Sequence, residues 1–218
     1  MRVLVTSGST REPIDSVRFI SNLSTGRTGA IICESLASRG FSVTQVRGVD
    51  SIEAAGVAHR EAFTDHASLD ALLRRLLTDR EYAAVIHVAA VGDYSVTDPF
   101  PDGKIPSGTE LVLRLKPNSK IIDQIREYAG GRELTLVGFK LTHDPKAEAR
   151  ARAARDLLNR CGADYVVQND VSTLSAGAGH VFYIHSRGNK PTHKCVGRQQ
   201  LASALATLLE RQQARSAG

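Results

Sequence analysis

Residues 83–91 read Ala-Ala-Val-Ile-His-Val-Ala-Ala-Val, apolar throughout except for His87. A strand exposed on one face alternates apolar and polar residues, whereas a strand covered on both faces reads as an unbroken apolar run. This stretch therefore predicts a central strand of a parallel sheet, ending at Gly92-Asp93-Tyr94. A loop rich in Pro, Gly and Asp follows, through Gly108. Just upstream, Leu69, Leu72, Leu73, Leu76 and Leu77 fall on one helical face behind the capping candidates Thr64 and Asp65. Further back, residues 42–46 read as a strand and residues 28–38 as a helix closed by Gly40. Residues 2–6 read as a first strand entering the turn Ser7-Gly8-Ser9, with an unusually long loop before the first helix.

Downstream the alternation continues. Residues 111–115 alternate like a short strand, and Asn118 is placed to cap a helix carrying Ile121, Ile122, Ile125 and Tyr128. A strand over 134–141 precedes a helix announced by Asp144-Pro145 and running to about Arg160. Residues 165–167 form the next strand, ending at Asn169-Asp170. Residues 181–185 and 193–196 suggest a hairpin around Gly188-Asn189, and Leu201, Leu205, Leu208 and Leu209 mark a final helix. The expected fold is α/β: a Rossmann-like, doubly wound, mostly parallel sheet flanked by helices, with a small C-terminal β hairpin and a last helix. Residues 1–212 are expected to make one Rossmann-like domain, and 213–218 a frayed tail. Such sheets bind ligands beyond the carboxyl ends of their strands. The polar clusters after Thr6, Val91, Leu141 and Val167 all fall there.

Composition sets outer bounds. A chain of 218 residues that is 42% apolar can bury a real core. No apolar run approaches a membrane span and the start is no signal peptide, so a cytoplasmic protein without membrane contacts is expected. Cys33, Cys161 and Cys195 show no metal or disulfide spacing. The net charge of +5 is spread along the chain without aromatic interleaving, which suits small anionic substrates better than nucleic acid.

The chemistry concentrates in residues 6–29, TSGSTREPIDSVRFISNLSTGRTG. Gly8 permits a sharp turn after the first strand. Ser24, Thr25, Gly26 and Gly29 lie where a helix begins, and free amides there attract anions. Arg11, Arg18 and Asn22 add side-chain donors. The spacing of the glycines is not GxGxxG, and Tyr94 has no lysine four residues on, both of which weigh against an NAD(P)-dependent oxidoreductase.

This segment closely resembles the signature of the phosphopantothenoylcysteine synthetases (phosphopantothenate–cysteine ligases). Residues 11–15, 17–22 and 24–26 all match its ordered polar positions. The run from His87 to Tyr94 resembles the family's nucleotide-binding A-A-V-x-D-Y element, Lys104-Ile105 its mobile-loop K-I, and Gly138-Phe139-Lys140-Leu141 its G-F-K-L. Asn169-Asp170 resembles its A-N-D. The resemblance implies a stand-alone ligase of coenzyme A biosynthesis joining 4′-phosphopantothenate to L-cysteine. CTP or ATP and Mg²⁺ would be used, with an acyl-nucleotidylate intermediate and release of pyrophosphate. It implies Asn22 and Lys104 as catalytic residues. Nucleotide contacts would come from Gly8, Ser24, Thr25, Gly26, Ala90, Asp93, Phe139, Lys140 and Arg160, and substrate contacts from Arg11, Arg18, Asn22 and Lys116. Asp93 is a candidate either for Mg²⁺ or for the nucleotide ribose.

Lys120 and Arg155 are further candidate phosphate contacts. Arg160 stands nearest to the position of a lysine that the family carries before its A-N-D strand. A homodimer with shared active sites is expected, and no flavin. The flavin-dependent decarboxylase of the pathway is expected on another polypeptide or outside the present sequence. The rival readings are a divergent homologue activating another acid, a binding-only relative, and an oxidoreductase on a similar sheet.

Overall fold

The computed structural model describes residues 1–100, 102–108, 110–172, 180–187 and 193–216. The first half comprises β1 (Arg2–Ser7), β2 (Arg11–Pro13), β3 (Phe19–Ser21), α1 (Arg27–Ser38), β4 (Ser42–Gly48), β5 (His59–Phe63), α2 (His66–Asp79) and β6 (Ala84–His87). The second comprises β7 (Tyr94–Val96), β8 (Leu115–Pro117), α3 (Ile121–Tyr128), β9 (Thr135–Thr142), α4 (Ala147–Cys161), β10 (Tyr165–Asp170), β11 (Val181–His185), β12 (His193–Val196) and α5 (Arg198–Ser216).

Eight strands form the main sheet in the order β12-β11-β10-β9-β6-β1-β4-β5. From β5 to β10 the pairs are parallel, and β11 and β12 add an antiparallel edge. The six parallel strands follow the doubly wound order, with the direction of winding reversing between β1 and β6.

Alternation along each buried strand feeds two separate cores. Val3 and Val5 of β1, Ala84 and Ile86 of β6, Val137 of β9 and Val167 of β10 pack with Ile32 and Leu36 of α1 and with Leu201, Leu205 and Leu209 of α5. Their neighbours Leu4, Val85, Leu136 and Val166 face the other way, onto α2, α3 and α4. Both faces of the sheet are thereby covered, which is why β6 carries no polar alternation. Each fully buried Leu, Ile or Val contributes about 1.5–3 kcal/mol.

Several elements differ from their expected form. The ladder of β6 ends at His87, and residues 88–92 leave it to cross the switch point. The long loop after β1 contains the β2–β3 hairpin, paired from Arg11↔Ser21 to Pro13↔Phe19. Strand β5, rich in charge, gave no apolar signal. Of residues 111–115 only Leu115 is in a strand. The hairpin strands β11 and β12 pair as expected, while residues 188–192 between them lie outside the described residues. Helix α5 continues through Ser216, four residues past Gln212, and residues 217–218 lie outside the described residues.

Candidate nucleotide and substrate site

The site is built where β1 and β6 end side by side. Thr6 pairs with His87 in the sheet, and its Oγ1 lies 3.0 Å from His87 Nδ1. The same oxygen accepts from the Ala89 amide at 3.1 Å. Burial pushes the His87 pKa down to about 4, so the ring is neutral at physiological pH. It serves as a core partner of Thr6. Beyond the strands the two loops are stitched together. Ala90 N donates to the Gly8 carbonyl at 2.7 Å, Thr10 N donates to the Ala90 carbonyl at 3.3 Å, and Gly92 N donates to Thr10 Oγ1 at 2.8 Å.

Gly8 has φ +83° and Gly26, at the start of α1, has φ +75°, both in the region that favours glycine. The room left by their missing side chains is occupied from within the chain. A Cβ on Gly8 would lie 1.7 Å from Ser51 Oγ, and one on Gly26 2.8 Å from Ser51 Cβ. Ser51 belongs to the loop after β4, whose Ile52 amide donates to the Thr25 carbonyl at 3.0 Å. Gly26 offers no side chain to cap α1; Thr25 Oγ1 accepts from the Arg27 amide at 3.4 Å, and a helix start of this kind attracts anions. Ser24 and Thr25 flank this end; Ser24 Oγ accepts from the Gly26 amide at 3.4 Å.

The β2–β3 hairpin carries the basic and amide residues. Arg11 pairs with Asp50 and stacks its guanidinium 4.3 Å from the Phe19 ring centroid. Its backbone amide donates to the Thr64 carbonyl at 2.7 Å. Asn22, just past the base of the hairpin, donates from Nδ2 to the Val91 carbonyl at 3.0 Å. At the tip, Arg18 Nη1 donates to Asp15 Oδ2 at 2.9 Å and to the Ile105 carbonyl at 3.3 Å. Lys104 thus stands beside Arg18, with its own side chain exposed.

Past β6, Asp93 pairs with Lys120. Glu12 is buried and accepts from the His66 amide at 3.0 Å and from Ser95 Oγ at 2.7 Å. Asn118 Oδ1 lies 2.8 Å from the same Ser95 Oγ, and its Nδ2 donates to the Gly92 carbonyl at 3.0 Å. Its expected role as cap of α3 is therefore not the one observed, since Lys120 occupies the cap position without a side-chain bond. Lys116 sits opposite Ser95 in the β7–β8 ladder and is exposed. Ala90 lies in the stitched loop itself.

Strand β9 places Phe139 half-buried against the core and Lys140 in the open. At its end, Asp170 accepts from Thr142 Oγ1 at 2.6 Å and from the Asp144 amide at 3.1 Å. Burial raises the Asp170 pKa, but hydrogen bonds from Ser172, Thr142 and the Asp144 amide outweigh it and hold the group well below the carboxylate range.

Arg155 is not brought to this cluster. Arg160, in the last turn of α4, pairs with Asp123 in the first turn of α3, three residues past Lys120. Arg155, in the middle of α4, lies beside His185 of β11 and helps lower its pKa after burial. Among the described residues no group of three His, Cys, Asp or Glu side chains is assembled for a metal. Asp93 is the one predicted ligand, an exposed carboxylate paired with Lys120. The sequence assigned no role to Glu12, Asp15, Ser51 or Ser95, and read Asn118 only as a cap. Asp15 and Glu12 lay within the quoted signature as matched letters, and Ser51 and Ser95 carried no local signal.

Residues 1–212 match the family described as the DNA/pantothenate metabolism flavoprotein C-terminal domain. This chain belongs to that family. The resemblance read from residues 6–29 thus extends over nearly the whole of this flavoprotein C-terminal domain. It is 38% identical over 183 residues to the coenzyme A biosynthesis bifunctional protein CoaBC of Thermococcus kodakarensis, covering 84% of this chain and 44% of that protein. CoaBC of Methanocaldococcus jannaschii is 31% identical over 183 residues, covering 83% and 43%. The chain therefore spans less than half the length of these relatives. A solved structure of the DNA/pantothenate metabolism flavoprotein from Streptococcus pneumoniae superimposes with TM-score 0.84 at 30% identity, covering 99% of each chain. A Cab2 mutant in complex with phosphopantothenate-cysteine shares the fold, with TM-score 0.78 at 20% identity over 100% of this chain and 89% of that one.

Proposed function

We propose that this domain joins 4′-phosphopantothenate to L-cysteine in coenzyme A biosynthesis. It would activate the carboxylate with CTP or ATP as an acyl-nucleotidylate and release pyrophosphate. The observation that carries the reading is Asn22 docked on the Val91 carbonyl at the switch point, surrounded by the stitched loops of a family whose relatives make coenzyme A. With one N–H committed to Val91, the remaining Asn22 amide group is fixed in place to meet an acyl oxygen without adding charge.

The first half-reaction brings a carboxylate onto a phosphate, so it is governed by positioning and charge neutralisation. Lys104 supplies charge at the tip of the hairpin, Arg11 and Arg18 along it, and Lys116, Lys120 and Lys140 around the strand ends. The first turn of α1 and the Ser24–Gly26 backbone favour the nucleotide phosphates. Mg²⁺ in such sites takes one or two carboxylates and keeps phosphate oxygens as its other ligands. Asp93 fits that donor set once Lys120 turns toward phosphate. When bound, the ion would neutralise charge on the triphosphate. The second half-reaction forms the amide bond from the cysteine amine and expels the nucleoside monophosphate.

Strand rise of ~3.3 Å per residue separates Asn22 from the Asp15–Lys104 end of the hairpin by on the order of 10 Å. That distance supports active sites completed by a second copy. Exposed Val17, Phe19, Leu23, Phe100, Leu111 and Val112 supply the apolar surface for a homodimer. The Ser51 side chain beside Gly8 and Gly26, where a dinucleotide fold would leave room for pyrophosphate, weighs against the oxidoreductase reading. No described helix is long and apolar enough to cross a membrane, and a cytoplasmic location accords with the proposed pathway.

The test is pyrophosphate release by the purified protein with 4′-phosphopantothenate, Mg²⁺ and either CTP or ATP, with and without cysteine. Turnover with one nucleotide, lost in Lys104→Ala and Asn22→Ala, is the expected result. No release with either nucleotide from a folded protein would sink the assignment.

A further inference from the structure

The backbone on both sides of Lys104 is held by one tight turn. Ser16 N donates to the Gly103 carbonyl at 3.0 Å, and Ile105 N donates to Asp15 Oδ2 at 3.1 Å. Arg18 Nη1 donates to the Ile105 carbonyl at 3.3 Å. Phe100 N donates to the Ile14 carbonyl at 2.8 Å, fixing the start of the same segment. Asp15 is the hub. Its Oδ1 accepts from Val17 N at 3.0 Å and Arg18 N at 2.8 Å, forming the turn, while its Oδ2 serves Arg18 Nη1 and Ile105.

The turn has a firm base. Arg11 is tied to the Thr64 carbonyl and Glu12 to the first amide of α2. Asp15 itself is 4% exposed. Burial raises its pKa, but the amides of Val17, Ile105 and Arg18 and the Arg18 charge outweigh this and leave it below its ordinary value. The carboxylate is thus ionised and acceptor-only, with both oxygens used. An exposed lysine on a segment with few other contacts would otherwise sample many positions.

We propose that Asp15 is a positioning residue for Lys104: its Oδ1 builds the hairpin turn, and its Oδ2 fixes the backbone that presents the lysine. This rests on the reading of Lys104 as a catalytic group. Asp15 touches no substrate in this scheme and acts through Lys104 alone.

Asp15→Asn separates the two halves. The amide oxygen can keep accepting from Val17 and Arg18, but the NH₂ group then faces two donors, Ile105 N–H and Arg18, and must let the segment go. Hydrogen exchange followed by mass spectrometry should show faster exchange at 103–105 and at Ser16, whose amide meets the Gly103 carbonyl, with Val17 and Arg18 unchanged. Misplacement by about 1 Å can cost about 100-fold, so kcat for pyrophosphate release should fall on the order of 10- to 100-fold. In a Lys104→Ala background the same change should alter kcat by less than about twofold, since residues that act as a unit do not add.

Asp15→Glu should fail to restore kcat, whereas Asp15→Ala should disturb exchange across both segments. Equal losses in both backgrounds, or an Asp15→Asn enzyme with wild-type kcat while Lys104→Ala is slow, would overturn the proposal. If Lys104→Ala is itself fully active, the catalytic reading of Lys104 fails, and the exchange result alone decides whether Asp15 holds the segment.

Discussion

The Asn22 side-chain amide donates to the Val91 carbonyl at 3.0 Å, joining points 69 residues apart across the sheet's switch point. The bond spends one N–H of an exposed residue on orientation rather than on stability. Asn22→Asp places a carboxylate against the Val91 oxygen and should swing the side chain away. Pyrophosphate release should fall on the order of 100-fold, as for loss of one charge-stabilising donor. Unfolding free energy should change by less than about 1 kcal/mol, the net worth of a single hydrogen bond. Steady-state kinetics and a urea titration check the two halves.

Gly8 and Ser51 form a second long-range pair. Gly8→Ala adds both a left-handed strain of about 1 kcal/mol and a collision with the serine side chain, so the total loss should reach roughly 2–4 kcal/mol. Adding Ser51→Gly removes the collision and should restore most of the difference, leaving the backbone strain. Chemical denaturation of the single and double variants provides the measurement.

His87 sets the acid limit of stability. Its folded pKa, near 4, lies below the ordinary 6.5, so between these values the unfolded chain binds a proton that the folded chain refuses. Stability therefore falls as pH drops from 6.5 to 4.5, by on the order of 2–3 kcal/mol. His87→Gln should reduce that slope, leaving the smaller share of His180 and His185, whose pKa values burial also lowers. Asp15 and Asp170, whose pKa values are depressed, contribute stability that is present above 3.8 and lost only below it. Unfolding curves at several pH values distinguish the two regimes.

Arg160 spends its charge on Asp123, so it should tolerate Arg160→Ala with kcat/KM for the nucleotide unchanged within about twofold. The stability change should be about 0.2–1 kcal/mol, as for an exposed ion pair. A loss of tenfold or more in kcat/KM would return Arg160 to the nucleotide site.

The sequence was most informative where burial on both faces writes a continuous apolar run, as in β1, β6, β9 and β10, and where helix faces repeat their leucines. It was silent on β5, a charged edge strand whose parallel pairing to β4 comes from the backbone. The three-residue strands β2 and β3 were equally hidden, because Pro13 and the turn at Asp15 read as loop. Among the candidate site residues, Asn22, Arg18 and Lys104 were read as members of a pattern. Their partners Val91, Asp15 and Ile105 depend on hydrogen bonds between distant segments, which no local period encodes. Arg160 was expected near the nucleotide by position in sequence; its pairing with Asp123 of α3 is again a contact between distant segments.

Helix α5 seals the face of the sheet that α1 begins. Arg198 donates to Thr28 at 3.1 Å across 170 residues, and Arg39 reaches Ser203 and Thr207. At about 5–20 residues per second, a ribosome needs roughly 10–30 s to make the chain between them. Throughout that interval Ile32 and Leu36 have no α5 leucines to meet. Newly made chains should therefore pass through a window in which the part of this face that α5 covers is bare.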